Sequence, residues 1–213
     1  MNAKYGTRHF LCTAGVGFSG IAVSFFKSAV FGADPFQALM SGLDSVIPIS
    51  YGPLYVITNA VLLMFSLAFD RTKIGLGTLI NLFLLGYIVQ FGVGLLSFLI
   101  PAPSLPVRVL YLAAGVLIAC LAGSMYFTAD MGVSTYDAVA LIITGTWKIG
   151  EFRFVRIITD LTCVLLGVIL FFLSGQDLSG LFAIVGVGTI ISAFMMGPMI
   201  DFFSRKIFEP MLR

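Results

Sequence analysis

Apolar residues fall in six long runs along this chain, and short polar segments separate the runs. A helix rises about 1.5 Å per residue, so roughly 20 apolar residues are needed to cross about 30 Å of hydrocarbon. The runs are of about that length and occupy residues 10–31, 53–69, 76–100, 107–128, 154–173 and 181–203. The pattern therefore predicts six transmembrane helices, and it makes residues 1–213 a single transmembrane domain.

Small and polar residues of the first half recur in the second half, in the same order. The matched segments are 32–38 with 132–138, 57–59 with 158–160, and 75–81 with 186–192. The duplication predicts a first three-span repeat, 10–100, and a second one, 107–203. Because each half holds an odd number of spans, the second half must enter the membrane from the opposite face. The predicted fold is an all-α membrane protein of two inverted-topology three-helix repeats, with a short capped helix after spans 1 and 4.

Composition and charge agree with this fold and orient it. With 59% hydrophobic and 10% charged residues, the chain has too little polar surface for an ordinary soluble domain. Arg108 lies alone on one side of the predicted bundle and Lys27 lies inside a span. The other basic residues lie on the opposite side: Lys4, Arg8, Arg71, Lys73, Lys148, Arg153, Arg156, Arg205, Lys206 and Arg213. Loops rich in Lys and Arg stay in the cytoplasm, so both termini are predicted to be cytoplasmic, and no basic patch for nucleic acid is left over.

Two helix-start signals follow the first and fourth spans. Asp34 precedes Pro35, with Gln37 three positions after Asp34, and Ser134 is followed three positions later by Asp137 in a capping-box pattern. The short helices predicted from them are Pro35–Val46 and 135–146. If these helices dip into the bundle, their capping residues would lie near an anionic or carbonyl group of a bound solute. Ordinary caps on interfacial helices are the alternative.

Polar side chains recur at matched positions inside the predicted spans: Asn59 with Asp160, Asn81 with Ser192, and Gln90 with Asp201. A central Asp, Lys or Arg costs about 2.5–3.5 kcal/mol on insertion scales, so such residues usually have a function. They predict a substrate-binding site between the repeats, near the middle of the membrane. Interhelical hydrogen bonds that only hold the bundle together are the alternative.

Three charged side chains inside the spans have further interpretations. Asp160 has Arg156 one helical turn before it, so a local ion pair or a role in proton coupling is predicted. Asp201 is the second candidate for proton coupling. Lys27 either extends outward to the membrane interface, pairs with Asp34, or binds a carboxylate of the substrate.

Two Gly-x-Gly-Thr segments, 75–78 and 186–189, open the third and sixth spans. Neither matches a phosphate-binding loop, because a preceding strand and a following Lys are missing. Small residues let helix backbones approach closely in membranes. We therefore expect these segments to pack the third span against the sixth, with each threonine bonding back to its own helix.

Metal, cofactor and enzyme signals are weak. Cys12, Cys120 and Cys163 lie in separate spans, and His9 is the single histidine, so no metal site is predicted. The segment 17–20 is similar to a rhomboid nucleophile motif, but no histidine follows it in a later span. The sequence predicts neither a cofactor nor an enzyme.

The Gly-x-x-x-aromatic/acid motif after the first span and the Gly-x-Gly-Thr-x-x-Asn motif of the third resemble the bacterial YczE/YyaS/YitT family of multispan membrane proteins. The residues that carry the resemblance are Gly32, Pro35, Ala38, Gly75, Gly77, Thr78, Asn81 and Gly86. Gln37 and Gln90 stand where that pattern would have acids, whereas Asp137 and Asp201 keep the acid in the second half. The resemblance implies the bacterial inner membrane and names no substrate.

The function predicted from these features is that of a permease for an unidentified small polar solute. Its candidate binding residues are Asn59, Asp160, Asn81, Ser192, Asp34, Gln37, Ser134, Asp137 and Lys27. The alternative is a substrate-binding membrane subunit resembling an S-component of an energy-coupling-factor importer. The predicted partners are the solute and the lipid bilayer, with no nucleic acid, and a homodimer is the hypothesis for the oligomeric state because six spans form a small bundle.

Overall fold

The structure is a computed structural model that describes residues 2–32, 34–175 and 180–212. The predictions that involve Ala33 and Arg213 lie outside these residues. Every regular element in the described part is helical. The helices are α1 (Asn2–Ala29), α2 (Pro35–Val46), α3 (Tyr51–Phe69), α4 (Leu76–Leu99), α5 (Leu105–Ala129), α6 (Thr135–Leu141), α7 (Phe152–Leu173), α8 (Leu181–Ile184), α9 (Val187–Phe203) and α10 (Glu209–Met211). A 3₁₀ turn, Arg71–Lys73, precedes α4, and two π-helical segments, Ile142–Thr146 and Ser204–Phe208, continue α6 and α9.

Five of the described helices are long and apolar enough to cross a membrane: Tyr5–Ala29, Tyr51–Phe69, Leu76–Leu99, Leu105–Ala129 and Phe154–Leu173. They coincide with the first five predicted spans. Their outward faces carry large exposed apolar side chains, such as Phe91 and Phe98 on α4, which are 72% and 82% exposed. Such surfaces are suited to lipid, so the chain is a membrane protein.

The sixth predicted span is not one continuous helix, and the prediction of 181–203 was wrong in this respect. The helix α8 ends at Ile184, Val185 is extended, and α9 begins after Gly186. The break has a physical reason, because a Cβ at Gly186 would lie 2.5 Å from the carbonyl oxygen of Phe31. The backbone at Gly186 is thus held against the turn after α1 instead of continuing as a helix.

The helices pack so that α2 and α6, the two capped short helices, each lie against a long helix of the other half of the chain. α1 packs on α4 and α5, α5 packs on α9, α2 packs on α7, and α6 packs on α3. The contact of α2 with α7 is a backbone contact, because a Cβ at Gly42 would lie 2.4 Å from the carbonyl oxygen of Gly167. Two glycines make this approach feasible, as expected for helices packed in a membrane.

The two Gly-x-Gly-Thr segments form matched hydrogen bonds. Gly77 N donates to the carbonyl oxygen of Met131 at 2.8 Å, and Gly188 N donates to that of Phe31 at 2.7 Å. The threonines bond back to their own helices as predicted, since Thr78 Oγ1 accepts from Gly75 N (3.1 Å) and Thr189 Oγ1 from Gly186 N (3.2 Å). The predicted packing of the third span on the sixth was wrong for these glycines. Their closest neighbours include the turns after α5 and α1, because those turns offer free helix-end carbonyls.

Those two turns share an unusual backbone conformation. Val30 and Asp130 have φ values of +58° and +50°, and Gly32 and Gly132 have +84° and +101°. A Cβ at Gly32 would lie 2.4 Å from Gly186 N, and one at Gly132 would lie 2.5 Å from Gly75 N. Both the left-handed φ and the close approach require glycine there.

Asp70 connects the end of α3 to the end of the π-helical segment after α6. Its carboxylate accepts hydrogen bonds from Thr72 N (3.0 Å), Thr72 Oγ1 (2.6 Å) and Thr146 Oγ1 (2.9 Å). Beside this link, Trp147 packs edge-on against Phe69, with ring centroids 5.0 Å apart. The hydrogen bonds from both threonines hold the pKa of Asp70 below its ordinary value.

Acidification is expected to release this link. A carboxyl group whose pKa is lowered in the folded state stabilises the fold above its ordinary pKa of about 4, and this contribution is lost as the pH falls through the lowered pKa. Emission of Trp147, the single tryptophan, should therefore shift to the red below about pH 4. Asp70→Asn keeps the acceptor oxygen without the titration and should remove the shift. A shift of the same size in Asp70→Asn would show that another group controls Trp147.

Candidate functional site

The first turns of the two short helices meet in the interior of the bundle. The rings of Phe36 and Tyr136 stack with centroids 5.0 Å apart and planes inclined by 23°. Both side chains are buried. Since Phe36 and Tyr136 occupy matched positions of the duplicated motif, this stack joins the two halves of the chain.

A charged cluster surrounds Tyr136. Arg156 Nε lies 3.1 Å from Asp160 Oδ1, so the predicted pair within α7 is confirmed. The same guanidinium forms a second ion pair with Asp137 of α6, a residue that the sequence predicted as a cap and as a candidate binding residue but not as a partner of Arg156. The Tyr136 hydroxyl donates to Asp160, and the guanidinium carbon of Arg156 lies 4.6 Å from the centroid of the Tyr136 ring. α6 and α7 are thereby held together by charge as well as by packing.

Asn59 extends the cluster to α3. Its side chain is 1% exposed, and its amide nitrogen donates to the carbonyl oxygen of Tyr55 at 2.8 Å. Its amide oxygen accepts from the Thr135 hydroxyl. Asn59 and Asp160 thus bind neighbouring residues in the first turn of α6. The polar residues joined in this way form the central network: Asn59, Thr135, Tyr136, Asp137, Arg156 and Asp160.

Asn81 lies next to the central network. Its side-chain oxygen accepts a hydrogen bond from the Tyr55 hydroxyl at 3.0 Å, and its side chain is buried. Tyr55 also contacts Phe36 edge-on, with ring centroids 6.0 Å apart. Asn59 and Asn81, two of the predicted candidate binding residues, are therefore close together, with Tyr55 between them.

The predicted caps of both short helices are present. Asp34 Oδ1 accepts from Gln37 N at 3.1 Å. Ser134 Oγ accepts from Asp137 N at 3.1 Å and donates to the Asp137 carboxylate at 2.7 Å. Asp34 also interacts electrostatically with Arg156 and Asp160. Its carboxylate is therefore close enough to influence the central network.

Lys27 and Gln37 lie around Tyr51. Lys27 Nζ is 3.7 Å from the centroid of the Tyr51 ring and 3.7 Å from Asp44 Oδ2. The Tyr51 hydroxyl donates to Gln37. Of the alternatives predicted for Lys27, the pairing with Asp34 was wrong, because the last turn of α2, not its first, lies opposite Lys27.

Ser192, Asp201 and Gln90 are not hydrogen-bonded to the central network. Ser192 is buried, and its hydroxyl makes no hydrogen bond with a residue that the structure describes. Asp201 has a side chain that is 59% exposed and pairs with Arg205 Nε at 2.8 Å. Gln90 is exposed on α4 and accepts from Gly52 N at 2.9 Å.

Several polar residues near the site were missed by the sequence reasoning. They are Tyr51, Tyr55, Tyr126, Thr135 and Tyr136. Tyr51, Tyr55 and Asn59 are spaced by four residues along α3, and this one-sided spacing was the signal that could have found them. Tyr126 is 7% exposed, and its hydroxyl has no hydrogen-bond partner among the described residues.

Cavities lie at two matched places next to the glycine turns. One, of about 380 Å³, is lined in part by Thr72, Lys73, Gly75, Tyr126, Asp130 and Gly132. The other, also about 380 Å³, is lined by Val30, Phe31, Arg108, Phe182, Gly186 and Val187. Arg108 closes the turn beside the second cavity, because it donates to the carbonyl oxygens of Ala29 (2.8 Å) and Val30 (3.1 Å).

Comparisons with known proteins give a family and no activity. An uncharacterized protein of Haemophilus influenzae is 24% identical over 206 residues, which cover 96% of this chain and 86% of that protein. No solved structure matches the chain. The model of a family of unknown function, DUF6198, matches residues 6–205. The chain therefore belongs to the DUF6198 family.

Proposed function

We propose that this protein is a permease for a small polar solute, and that the solute binds at the central network between two inverted three-span repeats. The observation that carries the proposal is that the matched first turns of α2 and α6 meet at the Phe36–Tyr136 stack, directly beside partly buried ion pairs. Polar and charged groups at membrane depth are costly, and in transport proteins they mark the solute pathway. Sites between repeats are typical of such proteins.

The exchange of short helices between the halves supports an alternating-access mechanism. α2 lies on α7 and α6 lies on α3, so movement of one half relative to the other changes the surroundings of the central network from both sides. The matched cavities at the two glycine turns provide an approach from each end of the bundle. In this proposal the last part of the chain, 181–208, forms the sixth span as a broken helix, and both termini are cytoplasmic.

The inverted arrangement is tested by labelling single cysteines at two matched exposed positions. Ile49 and Ile149 are 42% and 57% exposed and follow the two short helices. We expect a membrane-impermeant maleimide to label Ile49→Cys from outside intact cells and Ile149→Cys only after the cells are opened. The native cysteines are buried, and the unsubstituted protein serves as the control for their labelling. Labelling of both positions from the same side would rule out the inverted repeats.

The position of the site is tested by a solute screen on the purified protein, with thermal stabilisation as the first readout and uptake into proteoliposomes as the second. Solutes that stabilise the protein should lose their effect in Asn59→Ala and Asp160→Asn. Ser97→Ala changes an exposed position on α4 and is the control. We expect this variant to be stabilised by the same solutes as the native protein. If stabilising solutes act equally on all variants, the central network is not the binding site.

A further inference from the structure

The charged groups around the central network do not balance. Asp34, Asp137 and Asp160 interact with one guanidinium, that of Arg156. The other ion pair of this region, Lys27 with Asp44, is balanced within itself. Among the side chains that the structure describes, three carboxylates against one cation leave a formal charge of −2, and unpaired charge that is partly buried is unfavourable. The surplus must be compensated by protons or by a bound cation.

Aromatic rings next to these carboxylates provide a second feature of a cation site. Phe36 and Tyr136 are stacked, and Tyr55 contacts Phe36 edge-on. The guanidinium of Arg156 lies over the ring of Tyr136, so one cation–aromatic contact is already made within this group of rings. Aromatic faces beside carboxylates are the chemistry that recognises ammonium groups.

Tyr126 provides an independent observation. Its hydroxyl is buried and has no hydrogen-bond partner among the described residues, although an unpaired buried hydroxyl is costly. Asp137 and Tyr55 both act on it electrostatically, and its residue also lines the cavity near Gly75. Tyr126 therefore lies beside the cavity of about 380 Å³ and close enough to Asp137 to feel its charge. Its oxygen is free to accept a hydrogen bond from an ammonium N–H.

The N-terminal turns of the short helices do not favour an anion. From the sequence we expected these turns to face an anionic or carbonyl group if the helices dipped into the bundle, with ordinary helix caps as the alternative. In the structure, the side chains of Asp34 and Ser134 already accept from the amides of Gln37 and Asp137. A second anion would meet the Asp34 carboxylate at one turn and the Asp137 carboxylate at the other.

From these observations we infer that the solute of this permease is a small organic cation carrying an ammonium group. The inference rests on the proposed function and adds the charge of the solute to it. In the described part of the chain no three carboxylate, thiol or imidazole groups converge as metal ligands, so the geometry favours an organic cation over a metal ion. The carboxylates would pair with the ammonium group while the aromatic rings contact its alkyl part.

The same charge balance determines how transport of the cation is coupled to protons. In the empty site the proton that offsets part of the surplus is carried by Asp34, the carboxyl group that caps α2 beside the ion pairs of Arg156. When the cation binds, that O–H bond breaks, the proton passes to water, and the carboxylate forms an ion pair with the ammonium group. Cation and proton therefore compete for the same carboxylates, and transport would exchange one for the other.

The test uses three probes of similar shape and different charge: tert-butylammonium, tert-butanol and pivalate. We expect only tert-butylammonium to stabilise the purified full-length protein thermally, with an apparent affinity that falls about tenfold for each unit of acidification, as one proton per bound cation requires. Proton release on binding, followed with a pH dye in weak buffer, should accompany it. Preferential binding of pivalate or tert-butanol that is lost in Asp160→Asn would overturn the cation inference and leave the permease proposal standing.

Two variants keep the inference testable whatever the size of the natural solute. Asp34→Asn retains a good helix cap and removes one surplus charge, so we expect it to melt at a higher temperature than the native protein at pH 8 and at the same temperature at pH 5. Glu209→Gln, at an exposed position near the C-terminus, is the control and should melt at the same temperature as the native protein at both pH values. Lower stability of Asp34→Asn at pH 8 would contradict the charge surplus.

Tyr126→Phe separates binding from folding. Removing an unpaired buried hydroxyl should leave the melting temperature unchanged or raise it, whereas the affinity for tert-butylammonium should fall about fivefold, the value of one hydrogen bond. A variant that melts at a lower temperature would show that the hydroxyl has a structural partner. An unchanged affinity would remove Tyr126 from the site.

Discussion

Gly132→Ala and Gly32→Ala are each expected to prevent the accumulation of stably folded protein. Both glycines have a left-handed φ, which costs a residue with a Cβ about 1–2 kcal/mol. In addition, the new Cβ would meet the backbone of Gly75 or Gly186 at 2.5 Å or 2.4 Å. Overpacking of that kind costs about 1–3 kcal/mol, and the atoms that must move are backbone atoms at the start of long helices. The measurement is the melting temperature of the purified protein in detergent, together with the monodisperse yield.

Gly175→Ala is the matched control for this prediction. Gly175 also has a left-handed φ, of +71°, but a Cβ there would have no atom of a described residue within 4 Å. Gly175→Ala therefore has only the cost of a left-handed φ and no steric clash with a described residue, and we expect a small loss of stability. If all three variants lose the same amount, the contacts between the glycine turns and the helix starts contribute nothing to the fold.

Local signals in the sequence predicted the short helices well. α2 begins and ends at the predicted residues, Pro35 and Val46, because Asp34 and Pro35 fix the helix start through contacts within four residues. The second short helix also covers the predicted range, 135–146, but its last five residues are π-helical. Nothing in the local sequence distinguishes a π-helical turn from an α-helical one. The π-helical turn occurs where Thr146 bonds to Asp70 and Trp147 packs on Phe69, and these contacts are to residues far away in the sequence.

Contacts between distant elements were predicted less well. The ion pair of Arg156 with Asp160 was found because both residues lie on one helix face, whereas the pair of Arg156 with Asp137 depends on how α6 crosses α7. The break at Gly186 likewise depends on the turn after α1, which the apolar pattern of residues 181–203 does not reveal. The resemblance to the YczE/YyaS/YitT family, transport and the homodimer stay predictions.

Arg156→Gln is expected to destabilise the protein by about 3 kcal/mol, because it leaves Asp137 and Asp160 without their common cation. Removal of one partner of a buried ion pair costs about 3–5 kcal/mol, and the low end applies since these side chains remain 22–31% exposed. The exposed pair of Arg205 with Asp201 is the natural control. Arg205→Gln should cost less than about 1 kcal/mol.

The double variant Arg156→Gln/Asp137→Asn identifies the cause of that loss. If the instability of Arg156→Gln comes from an uncompensated carboxylate, neutralising Asp137 should recover part of the stability, and the two substitutions should be strongly non-additive in a thermodynamic cycle. Acidification should stabilise Arg156→Gln relative to the native protein for the same reason, because protonation removes the unpaired charge. Additive losses that do not depend on pH would mean that the guanidinium acts through packing on Tyr136 and not through its charge. In that case the carboxylates of the central network would be neutral in the native protein, and the charge surplus on which cation recognition depends would not exist.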